Sequence, residues 1–152
     1  MTTRQKFAGT AAALLLTLGG GGAVGLTLAP AAHAAASDCA GGANGFVDVS
    51  DNASGTVRAS ASRDGDTITL ETISGRGFAK LAGRTVNGTE SVWMDWTRDG
   101  GSTWLQCGPF TVDHGNGSSK TSASKAENSS SAWKFRACAY TADTAITCTN
   151  WW

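Results

Sequence analysis

The chain has 152 residues, with twelve Lys and Arg balanced by twelve Asp and Glu. The basic residues stand singly, as at Arg58, Arg76, Lys80, Arg84, Arg98, Lys120, Lys125, Lys134 and Arg136, which excludes the continuous basic face that nucleic-acid binding needs.

Met1 to Ala36 reads as a secretory signal peptide. Arg4 and Lys6 give a positive start, Ala11 to Leu28 an apolar stretch, and Ala32-His33-Ala34 or Ala34-Ala35-Ala36 a small-residue cleavage site. No stop-transfer charge cluster follows, so no membrane anchor is expected, and Asp38 before Cys39 argues against a lipoprotein signal. Cleavage leaves residues 37–152 as a single domain. All the acidic residues lie there while Arg4 and Lys6 leave, so the mature net charge is −2. A domain this size buries roughly two thirds of the surface its unfolded chain exposes. Export makes Cys39, Cys107, Cys138 and Cys148 readable as two disulfides. Of three possible pairings we favour Cys138 with Cys148, close together across an expected hairpin, and hence Cys39 with Cys107.

Phe46 to Val49 is expected as a first strand. Val57, Ala59 and Ala61 then alternate with Arg58, Ser60 and Ser62 in a second, and Asp64-Gly65 signals a type I′ turn into a third carrying Ile68 and Leu70. Gly75-Arg76-Gly77 breaks the pattern before Phe78 to Leu81, and Asn87-Gly88 marks a further turn. Val92, Met94 and Trp96 alternate with Trp93, Asp95 and Thr97, a period of two that suits a central strand. Asp99-Gly100-Gly101 reverses the chain into Thr103, Trp104 and Leu105. Thr97, Asp99, Gly101, Thr103 and Trp104 fit the pattern Ser/Thr-x-Asp-x-Gly-x-Thr-Trp, which resembles the Asp-box hairpin of sialidases and many other β proteins. The resemblance implies a local shape, with the Asp99 carboxylate bonding its own turn and Trp104 packing over it. One copy, with no repeat of blade length, does not imply a propeller.

Pro109 to Val112 reads as another strand. His114 to Ser131, rich in Gly, Ser, Asn and Lys, reads as a loop with at most a short strand near Thr121. Trp133, Phe135 and Ala137 then share one strand face, Ile146 and Cys148 lie on a neighbour, and the chain ends in Trp151-Trp152. Helix is not expected. Seven to nine short strands with two staples predict an all-β fold, a small disulfide-stapled antiparallel β-sandwich.

Catalytic chemistry has little to work with. The mature chain has one histidine, His114, in the polar loop and without a nucleophile elbow, so it is expected as a solvated side chain. Glu71, Glu90, Asp95 and Asp99 are the carboxylates from which a glycosidase-like pair would have to come, and turn and strand-edge roles are expected for them instead. No metal-ligand spacing and no cofactor motif is present, so the reading is not an enzyme and has no cofactor. The six tryptophans exceed what one small core needs. Trp133, Trp151 and Trp152 are therefore candidates for partner binding, by a protein or by stacking on a glycan.

The order of features is more specific than any one of them. Ser37-Asp38-Cys39 opens the mature chain. Val92 to Trp96, Asp99 to Trp104 and Gln106-Cys107-Gly108-Pro109-Phe110 follow, then Trp133 to Cys138 and Cys148-Thr149-Asn150-Trp151-Trp152. This arrangement resembles small secreted proteins of Streptomyces and related actinobacteria, in particular the adaptor subunit of umbrella toxin particles. The resemblance implies a non-enzymatic subunit linking a large, repeat-bearing polymorphic toxin to lectin subunits with a degenerate trypsin-like domain. It also implies an extended N-terminus that enters the cleft of that domain. Ser37, Asp38, Ala40, Gly41 and Gly42, in the stretch Ser37 to Phe46, are the matching candidates for this contact. Two other roles fit the composition. A carbohydrate-binding module would present flat, coplanar indoles, and a protease inhibitor would present the stapled loop Ala139 to Thr147.

Overall fold

The computed structural model describes residues 36–152; the segment read as a signal peptide lies outside them apart from Ala36. Ten strands follow two short 3-10 turns, Ala36–Asp38 and Ala40–Gly45: β1 (Phe46–Val47), β2 (Thr56–Arg63), β3 (Asp66–Ile73), β4 (Arg76–Ala82), β5 (Ser91–Thr97), β6 (Leu105–Thr111), β7 (Lys120–Thr121), β8 (Ser124–Ala126), β9 (Lys134–Tyr140) and β10 (Ile146–Cys148). They form two antiparallel sheets, one ordered β1-β8-β4-β3-β2 with β7 also on β4, the other β10-β9-β5-β6.

The hairpins follow their turn chemistry. Asp64 and Gly65 both have positive φ, 54° and 88°, the pairing a type I′ turn demands between β2 and β3. Ser74 and Gly75 repeat it at 51° and 72°, so the break read at Gly75 is a second tight hairpin. Ile68 and Leu70 on β3 lie opposite Leu81 and Ala79 on β4, and all four are fully buried. Facing them across the sandwich are Val92, Met94 and Trp96 of β5 and Phe135 and Ala137 of β9, with Phe46 in the same core. Each large apolar side chain removed from water here contributes about 1.5–3 kcal/mol.

Leu105 to Thr111 is one strand, so the segment from Pro109 does not start a new one. Its pairing with β5 shifts register between Val92 and Met94. A Cβ at Gly108 would stand 2.7 Å from that of Trp93, so only glycine fits this irregularity.

The stretch read as a loop contains β7 and β8. Thr121, Ser122, Ala123 and Ser124 are almost fully buried, with the Ser122 hydroxyl accepting from Ala79 N–H at 2.9 Å. Two disulfides close the structure, Cys39–Cys107 and Cys138–Cys148, the pairing favoured from the sequence.

Candidate functional site

The β5–β6 turn is built around Asp99. Its carboxylate accepts hydrogen bonds from the Thr97 hydroxyl at 2.7 Å, the Thr103 hydroxyl at 2.6 Å and the Thr103 N–H at 2.9 and 3.0 Å. Thr97 Oγ1 in turn accepts from the N–H groups of Asp99 and Gly101, at 3.2 and 3.1 Å. The Thr103 hydroxyl and N–H, then Thr97, hold the Asp99 carboxyl well below the usual carboxylate range. Gly101, at φ 106°, lies so close to the C-terminal tail that a Cβ there would stand 3.3 Å from Trp151 Nε1.

Two groups of rings and cations flank this turn. On the outer face of the four-stranded sheet the Arg136 guanidinium stands 5.0 Å from the Trp104 ring centre and 4.6 Å from that of Trp151. These two indoles meet at 63° with centroids 6.3 Å apart. At the end of the sandwich is a cleft of about 470 Å³ whose walls include Asn44, Trp96, Arg98, Trp104, Lys125 and Trp133. Trp96 and Trp133 pack at 58°, 4.7 Å between centroids. The Lys125 ammonium lies 4.4 Å from the Trp96 ring centre, and Arg98 covers the same ring at 5.3 Å. Burial, followed by Arg76 and Arg98, pushes the Lys125 pKa down.

Of the three candidate tryptophans, only Trp133 enters this cleft. Trp151 is half-buried beside Arg136. Trp152, 39% exposed, stacks on Phe135 at 22° and 6.4 Å, with the Arg58 guanidinium 5.0 Å from its ring centre. Its backbone exchanges two 2.9 Å hydrogen bonds with Phe135, so the tail extends the sheet beyond β10.

The N-terminal candidates are placed differently from the extended arm expected. Ser37, Ala40, Gly41 and Gly42 are exposed and Asp38 is half-buried, but the segment is coiled. Cys39 is fully buried in its disulfide, and Gly41, Gly42 and Asn44 all turn the chain with positive φ. The Asn44 amide donates to the Asp38 carbonyl at 2.7 Å, and Asn44 thereby reaches the cleft.

The sequence reading missed Asn44, Arg98 and Lys125 as site residues. Arg98, inside the pattern Thr97 to Trp104, was the one with a local signal.

The remaining titratable groups are held by their surroundings. Glu71 accepts from Gly55 N–H and the Thr69 hydroxyl, at 2.7 and 2.8 Å. Glu90 accepts from the N–H groups of Val86 and Ala142, at 2.9 and 2.8 Å. Exposed His114 places Nδ1 2.7 Å from Asp113 Oδ1 and 3.5 Å from Asp51 Oδ2. These three side chains have the spacing of a cation site. The Lys120 ammonium, however, sits 3.0 and 2.8 Å from the same carboxylates and already supplies their counter-charge. The hydroxyls of Ser118 and Ser119 nearby donate to the carbonyls of Gly115 and Asp51.

Fold and site together define a disulfide-stapled β-sandwich with an aromatic, cationic cleft at one end. No family model, curated protein or solved structure matches the chain.

Proposed function

We propose that this chain is a secreted, non-enzymatic binding subunit: an adaptor that connects a large polymorphic toxin to lectin subunits in an antibacterial umbrella toxin particle. The observation that carries the binding role is the concentration of indoles and cations around the β5–β6 turn of a doubly stapled sandwich. Aromatic and Arg side chains are the usual anchors of protein interfaces, and rigidity lowers the entropy lost when they engage. The outer edge of β2, which pairs with no further strand among the described residues, offers a separate surface for strand addition. The specific partners come from the resemblance of Ser37 to Cys39, Val92 to Phe110 and the two C-terminal cysteine segments.

The paired indoles meet at 58° and 63° and so are not coplanar, which favours a protein partner over sugar stacking at these two pairs. The loop between β9 and β10 is held by Asp143 bonded to Arg63 and Thr141 and by the Ala142 N–H on Glu90, and it carries none of the indoles gathered around the β5–β6 turn.

The test is to tag the chain behind a C-terminal linker, express it at its native level, recover it from the culture supernatant and identify what accompanies it by mass spectrometry. The adaptor reading expects a large repeat-bearing toxin and a lectin. Recovery of neither sets it aside.

A further inference from the structure

Lys125 points from β8 into the cleft with neighbours that do not balance its charge. It stands against the rings of Trp96, Trp133 and Phe46 and donates to the Asn44 carbonyl. The charged groups that act on it are Arg76 and Arg98, both cations. Among the described residues no carboxylate forms an ion pair with Lys125, Arg98 or Arg76. The first 35 residues contain no Asp or Glu at all. Like charges gathered at a partly dry surface repel one another, a cost that solubility does not require in a mature domain of net charge −2.

A second observation points the same way. The indole N–H groups of Trp96 and Trp133, both in the cleft walls, are buried and have no hydrogen-bond acceptor. Trp96 is 8% exposed. Buried donors are normally paired, and each unpaired one destabilises the empty site. The nearest turn carboxylate, Asp99, is already occupied by Thr97 and Thr103. Lys125 and Arg98 therefore bring positive charge, and Trp96, Trp104 and Trp133 ring faces, to a cleft with no carboxylate in its walls among the described residues.

A neutral saccharide presents hydroxyls that must donate as well as accept, and here they would find few acceptors. A carboxylate only accepts, and it gains charge-assisted bonds from a lysine and an arginine. The cleft's 470 Å³ lies within the range of small-ligand sites and holds about two or three peptide residues.

We infer that the cleft seats an acidic segment of a protein partner, with an Asp or Glu carboxylate between Lys125 and Arg98 and an apolar neighbour against Trp96 and Trp133. This rests on the reading of the chain as a protein-binding subunit.

The test uses the mature, oxidised protein on an array of octapeptides that carry Asp or Glu beside each apolar side chain, with the Asn and Gln versions alongside. The acidic peptides should bind, and their amide versions should bind about tenfold more weakly or worse. Lys125→Gln and Arg98→Gln should each produce a similar loss, and Lys125→Arg should retain most of the binding. Because Arg98 is exposed, R98Q decides the matter even if K125Q fails to fold. No preference for acid over amide, or acidic binding indifferent to both substitutions, overturns the assignment. So does binding to hexuronate oligosaccharides without binding to peptides. A protein partner recovered from the supernatant together with an array that shows no acid preference leaves the binding role standing and removes only the cleft assignment.

Discussion

Arg136 Nε donates a 2.8 Å hydrogen bond to Asp95 Oδ2 across the neighbouring strands β9 and β5. Asp95 is 1% exposed, and burial raises its pKa while the arginine's bond and charge oppose the rise. Because the same guanidinium lies against Trp104 and Trp151, the pair joins the end of the β5–β6 turn to the C-terminal tail.

Removing the arginine leaves a buried carboxylate without its partner. Arg136→Met is expected to destabilise the protein by about 3 kcal/mol, while Asp95→Asn together with Arg136→Met recovers a substantial part of that loss. Urea denaturation of the two single variants and the double variant measures both effects and their coupling.

Asp99 makes the turn pH-dependent. Its folded pKa lies below its ordinary value of 3.8, so its contribution is fully present above that value and is lost as the pH falls below it. Thr103→Val removes the largest cause, the hydroxyl bond, and should flatten the acid limb of a melting-temperature profile. An unchanged acid limb contradicts this account of the turn.

Asp66 has the opposite sign. Burial and then the charge of Glu90 raise its pKa to about 6, so its carboxyl favours folding while protonated. That contribution is present below its ordinary 3.8 and is lost as the pH rises toward 6. Asp66→Asn should be more stable than the parent at pH 7, by on the order of 1–3 kcal/mol, and should lose the difference near pH 4. Guanidinium melts at a series of pH values distinguish this slope from that of Asp99.

The two disulfides should differ in weight. Cys39–Cys107 closes a separation of 68 residues and Cys138–Cys148 one of 10. Restriction of the unfolded chain assigns them about 4 and about 3 kcal/mol respectively. Serine replacement of each pair, compared at equal denaturant, should show the larger loss for Cys39→Ser with Cys107→Ser.

The strands with alternating side chains were legible because the face toward the core is apolar, even in β5, where Trp93, Asp95 and Thr97 on the other face are buried too. β3, with Ile68 and Leu70, and β5, with Met94 and Trp96, carry their period in the sequence, and Asp64-Gly65 carries its turn. In the polar stretch the short strand near Thr121, β7, was legible but β8 was not, since Ser122 and Ser124 are buried through hydroxyl and backbone bonds that leave no apolar alternation. The cleft was hidden for a different reason. Asn44 and Lys125 are 81 residues apart, and their meeting depends on β1 pairing with β8. A lysine in a polar stretch looks solvated until the pairing that brings it against Trp96 is known. The coiling of the N-terminal segment was not legible either, because it depends on Cys39 being stapled to Cys107, 68 residues away.

The most direct test of the connector role is the size of the native protein. If the proposed role holds, sedimentation velocity on the natively expressed chain, drawn from the culture medium without tag cleavage or denaturant, should show it moving with a large assembly and not at the rate of a small monomer. Sedimentation wholly as a free monomer, at native expression and with partners present in the medium, would contradict the account.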